Sequence, residues 1–235
     1  ANNSIKWISD QNYGGSLGQG GTLSSADFNQ DGISEVYIHN NIFNSTNGIL
    51  LASGGNNGLG GISETISIAA DLDNEQNDLE LAAGYTVYKV ILNNLNGITG
   101  NSMIANNILI NGVARDGLTA ITDLNNDNRA DIVVVTAQSF YSGIYVYTFQ
   151  NNSYEIIASI EWPSFKIFGC LSIGILNKDN KKRIILTSIN EIKVLSWNNT
   201  NKLSEDWIIP IDENSGKIGT SLFDFNNDGE NEIIF

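Results

Sequence analysis

This chain has one cysteine, one histidine, one methionine and two prolines in 235 residues. A lone Cys170 rules out an internal disulfide, and its apolar setting (GCLSIGIL) marks it as inert core. A lone His39 excludes multi-histidine metal centres and argues against Ser-His-Asp catalysis. No apolar run approaches the roughly eighteen residues of a membrane helix. Basic residues are few: 12 Lys and Arg stand against 26 acids, for a net charge of −14. That balance argues against a nucleic-acid partner and against an anionic membrane. Walker and Rossmann patterns are missing too. The Gly-rich stretch GGSLGQGG at 14–21 lacks the Lys and the helix of a phosphate cradle and reads as a connection before a strand. No segment shows helical periodicity.

One short acidic pattern recurs five times: Asp-x-Asn-x-Asp-x-x-x-acid, followed at once by a β-type run. The copies are DFNQDGISEVYI from Asp27, DLDNEQNDLEL from Asp71, DLNNDNRADIVV from Asp123, ILNKDNKKRIIL from Ile175 and DFNNDGENEIIF from Asp224. Calcium takes six to eight oxygen ligands at roughly 2.3–2.6 Å. A tight loop can aim side chains 1, 3 and 5 at one ion, with a carbonyl at position 7 and an acid at position 9. The first copy places Asp27, Asn29, Asp31, the carbonyl of Ile33 and Glu35 in that order. Gly32 follows position 5, where a positive φ is expected. The third copy has Asp123, Asn125, Asp127, Arg129 and Asp131, and the fifth has Asp224, Asn226, Asp228, Glu230 and Glu232. Arg129 and Glu230 at position 7 offer only carbonyls. An EF-hand would instead need an acid at position 12, where Ile38, Val134 and Phe235 stand.

Two copies depart from the pattern. The second offers Asp71, Asp73, Glu75 and Asn77, and its closing acid is read as Asp78, one residue early. The fourth begins with Ile175 and ends in Arg183, with Lys178, Lys181 and Lys182 nearby. It is read as metal-free, its basic groups offsetting Asp179. Asn, Asp and Gly also favour plain turns, but four copies at matching spacing are hard to reconcile with turns alone. The four intact loops hold three, four, three and three ligand carboxylates, thirteen of the 26 acids. About four Ca²⁺ would bring the net charge from −14 to about −6. The metal is expected to staple strands and to do no chemistry.

The loops start at 27, 71, 123, 175 and 224, spacings of 44, 52, 52 and 49 residues. A period near 50 points to a propeller or a solenoid. Each repeat carries a short strand before the loop (TLSSADF, TAITDL, TSLFDF) and a second after it (EVYIHN, DIVVVTA, RIILTS, EIIF). A third follows (GILLAS, TVYKVIL, GIYVYTF, EIKVLSW), then a looser fourth (MIANNILI, IIASIEW, DWIIPI). Four short strands per unit make a propeller blade. The expected fold is therefore an all-β β-propeller of four-stranded antiparallel blades, with the calcium loops between first and second strands. Residues 1–235 are read as one domain of five blades, the alternative being part of a longer chain. SIKWIS (4–9) would close the ring on the outside of the last blade.

With these loops and strands the chain resembles the FG-GAP or VCBS repeat family, which includes the integrin α head. The family's Phe-Gly pair is matched loosely by Phe168-Gly169, Ile218-Gly219 and Gly20-Gly21, and its Gly-Ala-Pro element only by Ala82-Ala83-Gly84 without the Pro. The resemblance implies a propeller with metal loops and a role in binding proteins or glycans. The expected function is a non-enzymatic, secreted or cell-surface adhesion or protein-interaction module. Alternatives are a lectin with sites repeated around the ring, or an ancillary domain of a polysaccharide-degrading enzyme. Trp7, Trp162 and Trp207 recur in fourth-type strands and could stack on ligands, although packing between blades is the favoured reading. Glu64, Glu155, Glu161 and Glu191 sit in no catalytic pattern. The first residue is Ala, so processing or excision is expected. Asparagine is abundant at 34 residues, and the sequons at Asn2, Asn44, Asn151 and Asn198 match chance for that composition.

Overall fold

A computed structural model describes residues 4–9, 21–61, 65–75, 78–138, 141–162, 171–188, 190–198, 202–212 and 219–235. Asn2, residues 14–20, Glu64, Asn77, Phe168, Gly169, Cys170 and Ile218 lie outside the described residues. The described residues form strands and no helix. The first sheet is β1 (Ser24–Ala26), β2 (Glu35–Ile38), β3 (Asn41–Phe43) and β4 (Leu50–Ser53). The second is β5 (Ile68–Ala70), β6 (Glu80–Ala83), β7 (Thr86–Ile91) and β8 (Ser102–Asn107). A hairpin of β9 (Leu109–Ile110) and β10 (Val113–Ala114) follows. The third sheet is β11 (Leu118–Thr122), β12 (Asp131–Gln138), β13 (Tyr141–Gln150) and β14 (Ser153–Trp162). The fourth is β15 (Ser172–Ile175), β16 (Lys182–Ser188), β17 (Glu191–Asn198) and β18 (Lys202–Pro210). Last come β19 (Ser221–Phe223) and β20 (Glu232–Ile234), paired as a two-stranded sheet.

The four-stranded sheets run in chain order, as antiparallel meanders. Every acidic loop lies between the first and second strands of a sheet, as the spacing predicts. Two strand assignments need correction, GILLAS and residues 4–9. GILLAS is the fourth strand of the first sheet, because Asn41–Phe43 supplies a third strand only three residues long. His39 makes the tight turn into it with φ 55°. The hairpin turn at Asn111-Gly112 was not foreseen, and its φ values of 51° and 78° suit a two-residue loop. Residues 4–9 form no strand; Trp7 instead donates from Nε1 to the Ser45 carbonyl at 2.8 Å. Third and fourth strands slip register at Ile42/Phe43, Val146/Tyr147 and Val194/Leu195. Bulges at this shared place increase local twist.

The chain divides into two compact units, Ala1–Thr119 and Ala120–Phe235, the boundary falling within β11. In the first unit, Tyr37, Ile42 and Ala52 of the first sheet meet Leu81, Ala83, Tyr88 and Val90 of the second. In the second unit, β16 is buried on both faces. Ile184 and Leu186 pack with Val133, Val135 and Val146 of the third sheet, while Ile185 packs with Leu176 and Val194 and against Leu222 and Ile233. Period-2 alternation puts neighbours on opposite faces, so a strand covered twice reads as a continuous apolar run. That is why DIVVV and RIIL show no polar alternation.

Position 2 of each loop anchors it to this core. Phe28, Leu72, Leu124 and Leu176 are 1–3 % exposed, whereas Phe225 of the last loop is 65 % exposed. Phe28 also meets Tyr37 edge-on, ring centres 5.5 Å apart. Removing a buried Phe side chain costs about 3–5 kcal/mol. Phe28→Ala should destabilise the chain by that order in denaturant titration, while Phe225→Ala should stay within about 1 kcal/mol. Equal losses at the two positions would contradict the burial difference.

Candidate metal centre

The first, third and fifth loops are built on the same backbone frame, whereas in the second Asp71 accepts from the amide of Asn74 at 2.8 Å. Asp27 at position 1 accepts from the amides of Asp31 at 3.0 Å and Gly32 at 2.8 Å. Asp123 accepts from Asp127 at 3.0 Å and Asn128 at 3.1 Å, and Asp224 from Asp228 at 3.1 Å and Gly229 at 2.9 Å. Position 3 also accepts from the position-5 amide: Asn29 at 3.1 Å, Asn125 at 3.0 Å and Asn226 at 2.9 Å. Position 5 then accepts from the position-7 amide, in Asp31 to Ile33, Asp127 to Arg129 and Asp228 to Glu230, at 2.8 to 2.9 Å. The side chains of positions 1, 3 and 5 are thereby folded into one concave turn. Position 6 is left-handed, as expected, at Gly32 (89°), Asn128 (66°) and Gly229 (88°). Position 4 is left-handed as well, at Gln30, Asn74, Asn126 and Asn227, which the acidic spacing alone did not reveal.

The closing acid is the first residue of the second strand and joins the loop to the core. Its carboxylate accepts the amide of the position-2 residue. Glu35 accepts from Phe28 at 3.0 Å, Asp131 from Leu124 at 2.8 Å and Glu232 from Phe225 at 2.9 Å. In the second loop that bond runs from Leu72 to Glu80 at 2.8 Å. So Glu80, not Asp78, holds the closing place, and this loop is one residue longer than its counterparts. The period-2 pattern was the available signal: Glu80 opens the strand ELAA as Glu35 opens EVYI.

These closing acids are buried: Glu35 3 %, Glu80 2 % and Asp131 0 % exposed. Glu80 Oε1 is inaccessible and has no hydrogen-bond partner, while the inaccessible Asp131 Oδ1 has only the Thr148 hydroxyl across the strand pair to turn to. Burial, opposed by the Leu72 amide, raises the Glu80 carboxyl to about 7. Burial likewise raises Asp131 to about 6, and it raises Glu35 too. A buried carboxylate oxygen without a donor is costly, and a cation is its natural partner. In the second loop two carboxylate groups each gather within 4.8 Å: Asp71, Asp73 and Glu80, and Asp73, Glu75 and Asp78. This cluster could hold a metal ion. Lys89 crosses it, reaching Glu75 at 2.5 Å and Asp78 at 3.2 Å.

The fourth loop carries its own cation. Arg183 stands where the others have an acid, and its guanidinium grips Asp179 at 2.7 and 3.0 Å and Asp206 at 3.2 Å. The Arg183 contact holds Asp179 down to about 2. Position 8 adds a tie within this unit. Lys182 donates to the carbonyl of Asp123, and Asn231 donates at 2.5 Å to that of Ile175. In both cases position 8 of one loop reaches position 1 of the preceding loop.

Most of the other singled-out residues make contacts within the fold. Trp162 donates to Glu205 at 2.7 Å and packs against the core of the second unit, as the packing reading expects. Trp7 lies against the Gly48 turn, and Trp207 is 39 % exposed. Glu155 accepts from Gln150, Glu161 from Tyr145, and Glu191 pairs with Lys193 at 3.7 Å. Asp116 was missed: its buried carboxylate gathers the amides of Leu59 and Gly60 at 3.0 and 3.1 Å, and burial raises it to about 6. Its Oδ1 lies only 1.7 Å from where a Cβ on Gly84 would sit, so a side chain there is excluded. No protein-family model matches this chain, and no curated protein is significantly similar to it.

The raised carboxyls fix a pH trend. Glu80, Asp131 and Asp116 bind protons more tightly folded than unfolded, so their contribution is complete below about pH 4. It is lost as pH rises through about 6 for the two aspartates and about 7 for Glu80. Chelator-treated protein should therefore melt at a higher temperature at pH 5 than at pH 8. Glu80→Gln should raise the pH 8 value and flatten the curve above pH 6. A steeper curve in that variant would overturn the assignment.

Proposed function

We propose that this chain is a calcium-stabilised β-propeller of the FG-GAP/VCBS kind, acting without catalysis as an extracellular adhesion or protein-interaction module. The observation that carries the reading is the buried closing acid set above an acidic turn in both units, with Glu80 Oε1 left unpartnered. Successive sheets stacked face to face within each unit support the blade arrangement. Five blades would be the four meanders and the β19–β20 pair.

The residues fit a calcium ion better than a softer metal. Every side-chain donor is an oxygen from Asp, Asn or Glu, with no His or Cys among them. The first site would use Asp27, Asn29, Asp31, Ile33 and Glu35. The second would use Asp71, Asp73, Glu75 and Glu80, with Asp78 beside them. The third would use Asp123, Asn125, Asp127, Arg129 and Asp131, and the fifth Asp224, Asn226, Asp228, Glu230 and Glu232. When bound, the ion supplies positive charge that offsets the closing acids and cross-links the loop to the second strand. Extracellular modules work with dissociation constants of about 0.1–1 mM. A partner protein or glycan would then meet a rigid surface.

Native mass spectrometry in calcium should count about four ions, lost on chelation together with a large drop in melting temperature. Filling one site to 100 times its dissociation constant stabilises by about 2.7 kcal/mol. Asp123→Ala should remove one ion and that share of stability. An unchanged ion count in this variant, or no calcium bound by the native chain, would overturn the reading.

A further inference from the structure

The second loop differs from its counterparts in its charge. Its five carboxylates form two overlapping groups that share Asp73. Glu80, 2 % exposed and with Oε1 unpartnered, belongs to the group completed by Asp71. Lys89 lies directly across from Glu80 in the β6–β7 register, so its side chain shares the face of the closing acid. Its ammonium sits 2.5 Å from Glu75 and 3.2 Å from Asp78, both members of the other group. The residue across from the closing position is Thr148 in the third sheet and Ser196 in the fourth. Of these three cross-strand partners, Lys89 alone carries a charge.

We propose that Lys89 is a tethered cation that competes with the metal ion of the second loop and sets how tightly that loop binds it. The inference rests on the metal-binding reading given above. Two effects act in the same direction. An ion that recruits Glu75 must displace an ammonium already hydrogen-bonded to it. An ion held by Asp71, Asp73 and Glu80 also feels the repulsion of a fixed positive charge one side chain away. Lys89 and Glu75 are solvent-exposed, so the repulsion is screened nearly as in water; a unit charge about 5 Å from a divalent ion then weakens its binding by roughly ten-fold. The second loop therefore fills at higher calcium than the third, even though it carries more carboxylates. Stability of the first unit would follow calcium over a range where the third loop is already full.

Calcium titration followed by amide hydrogen exchange separates the loops, because residues 71–83 and 123–135 fall in different peptides. In the full chain, Lys89→Thr should lower the calcium midpoint for protection of 71–83 by roughly ten-fold and leave that of 123–135 unchanged. Lys89→Arg keeps the charge and should leave both midpoints within about two-fold. If Lys89 instead only orders the loop, Lys89→Thr will raise the 71–83 midpoint, and the proposal fails. It fails equally if Lys89→Arg shifts as far as Lys89→Thr, since charge is then not the cause. Protection of 123–135 with no calcium response at 71–83 in any variant overturns this inference alone. No calcium response at either segment overturns the metal reading with it.

Discussion

The structure turns on one hydrogen bond, repeated in four of the five loops: the amide of the position-2 residue donates to the carboxylate that opens the second strand. Its donor residue is pinned because its side chain lies in the core, as Phe28, Leu72 and Leu124 do. Its acceptor is pinned because it begins a strand with ladder bonds on either side. The carboxylate is consequently dragged out of water at the rim of an apolar layer. Everything notable about the site follows from that placement. Glu35, Glu80 and Asp131 are raised above their ordinary range, Glu80 keeps one oxygen without a donor, and the turn above such an acid must bring positive charge or a proton.

The repeats answer that demand in different ways. The first, third and fifth keep a concave turn of Asp, Asn and Asp side chains. The fourth removes the demand by placing Arg183 where the acid would be, with Asp179 and Asp206 around it. A guanidinium in contact with two carboxylates is neutralised without any ion, and Leu176 still seats that loop in the core. The second adds acids and a lysine together. One framework thus spans acidic turns of Asp and Asn side chains, a loop that contains its own cation, and a loop that pairs added acids with a lysine.

Asparagine explains how such loops fold without many glycines. Among the described residues, nine of the eleven non-glycine residues with positive φ are Asn, including Asn74, Asn126 and Asn227 at loop position 4. Asn tolerates the left-handed region because its short amide can bond to nearby backbone. The abundance of Asn is therefore a backbone property first, and the oxygens at Asn29, Asn125 and Asn226 are a second use of the same residue type.

Much of this was legible in the chain itself. The period near 50, the acidic spacing and the β-branched runs determine an all-β repeat with a polar turn between first and second strands, because these signals are local and recur. The cation of the fourth loop was also legible, since Arg183 replaces an acid at a fixed offset. Three features were decided only in three dimensions. Glu80 took the closing role from Asp78 because strand register, not residue count, chooses which side chain faces the loop. Asn41–Phe43 became a strand because its neighbours offered ladder bonds to a segment too short to show periodicity. Lys89 entered the second loop from another strand, 14 residues after Glu75 in the chain, and the β6–β7 pairing alone brings them into contact. Local pattern determines which turns form; pairing across the sheet decides which charges meet there.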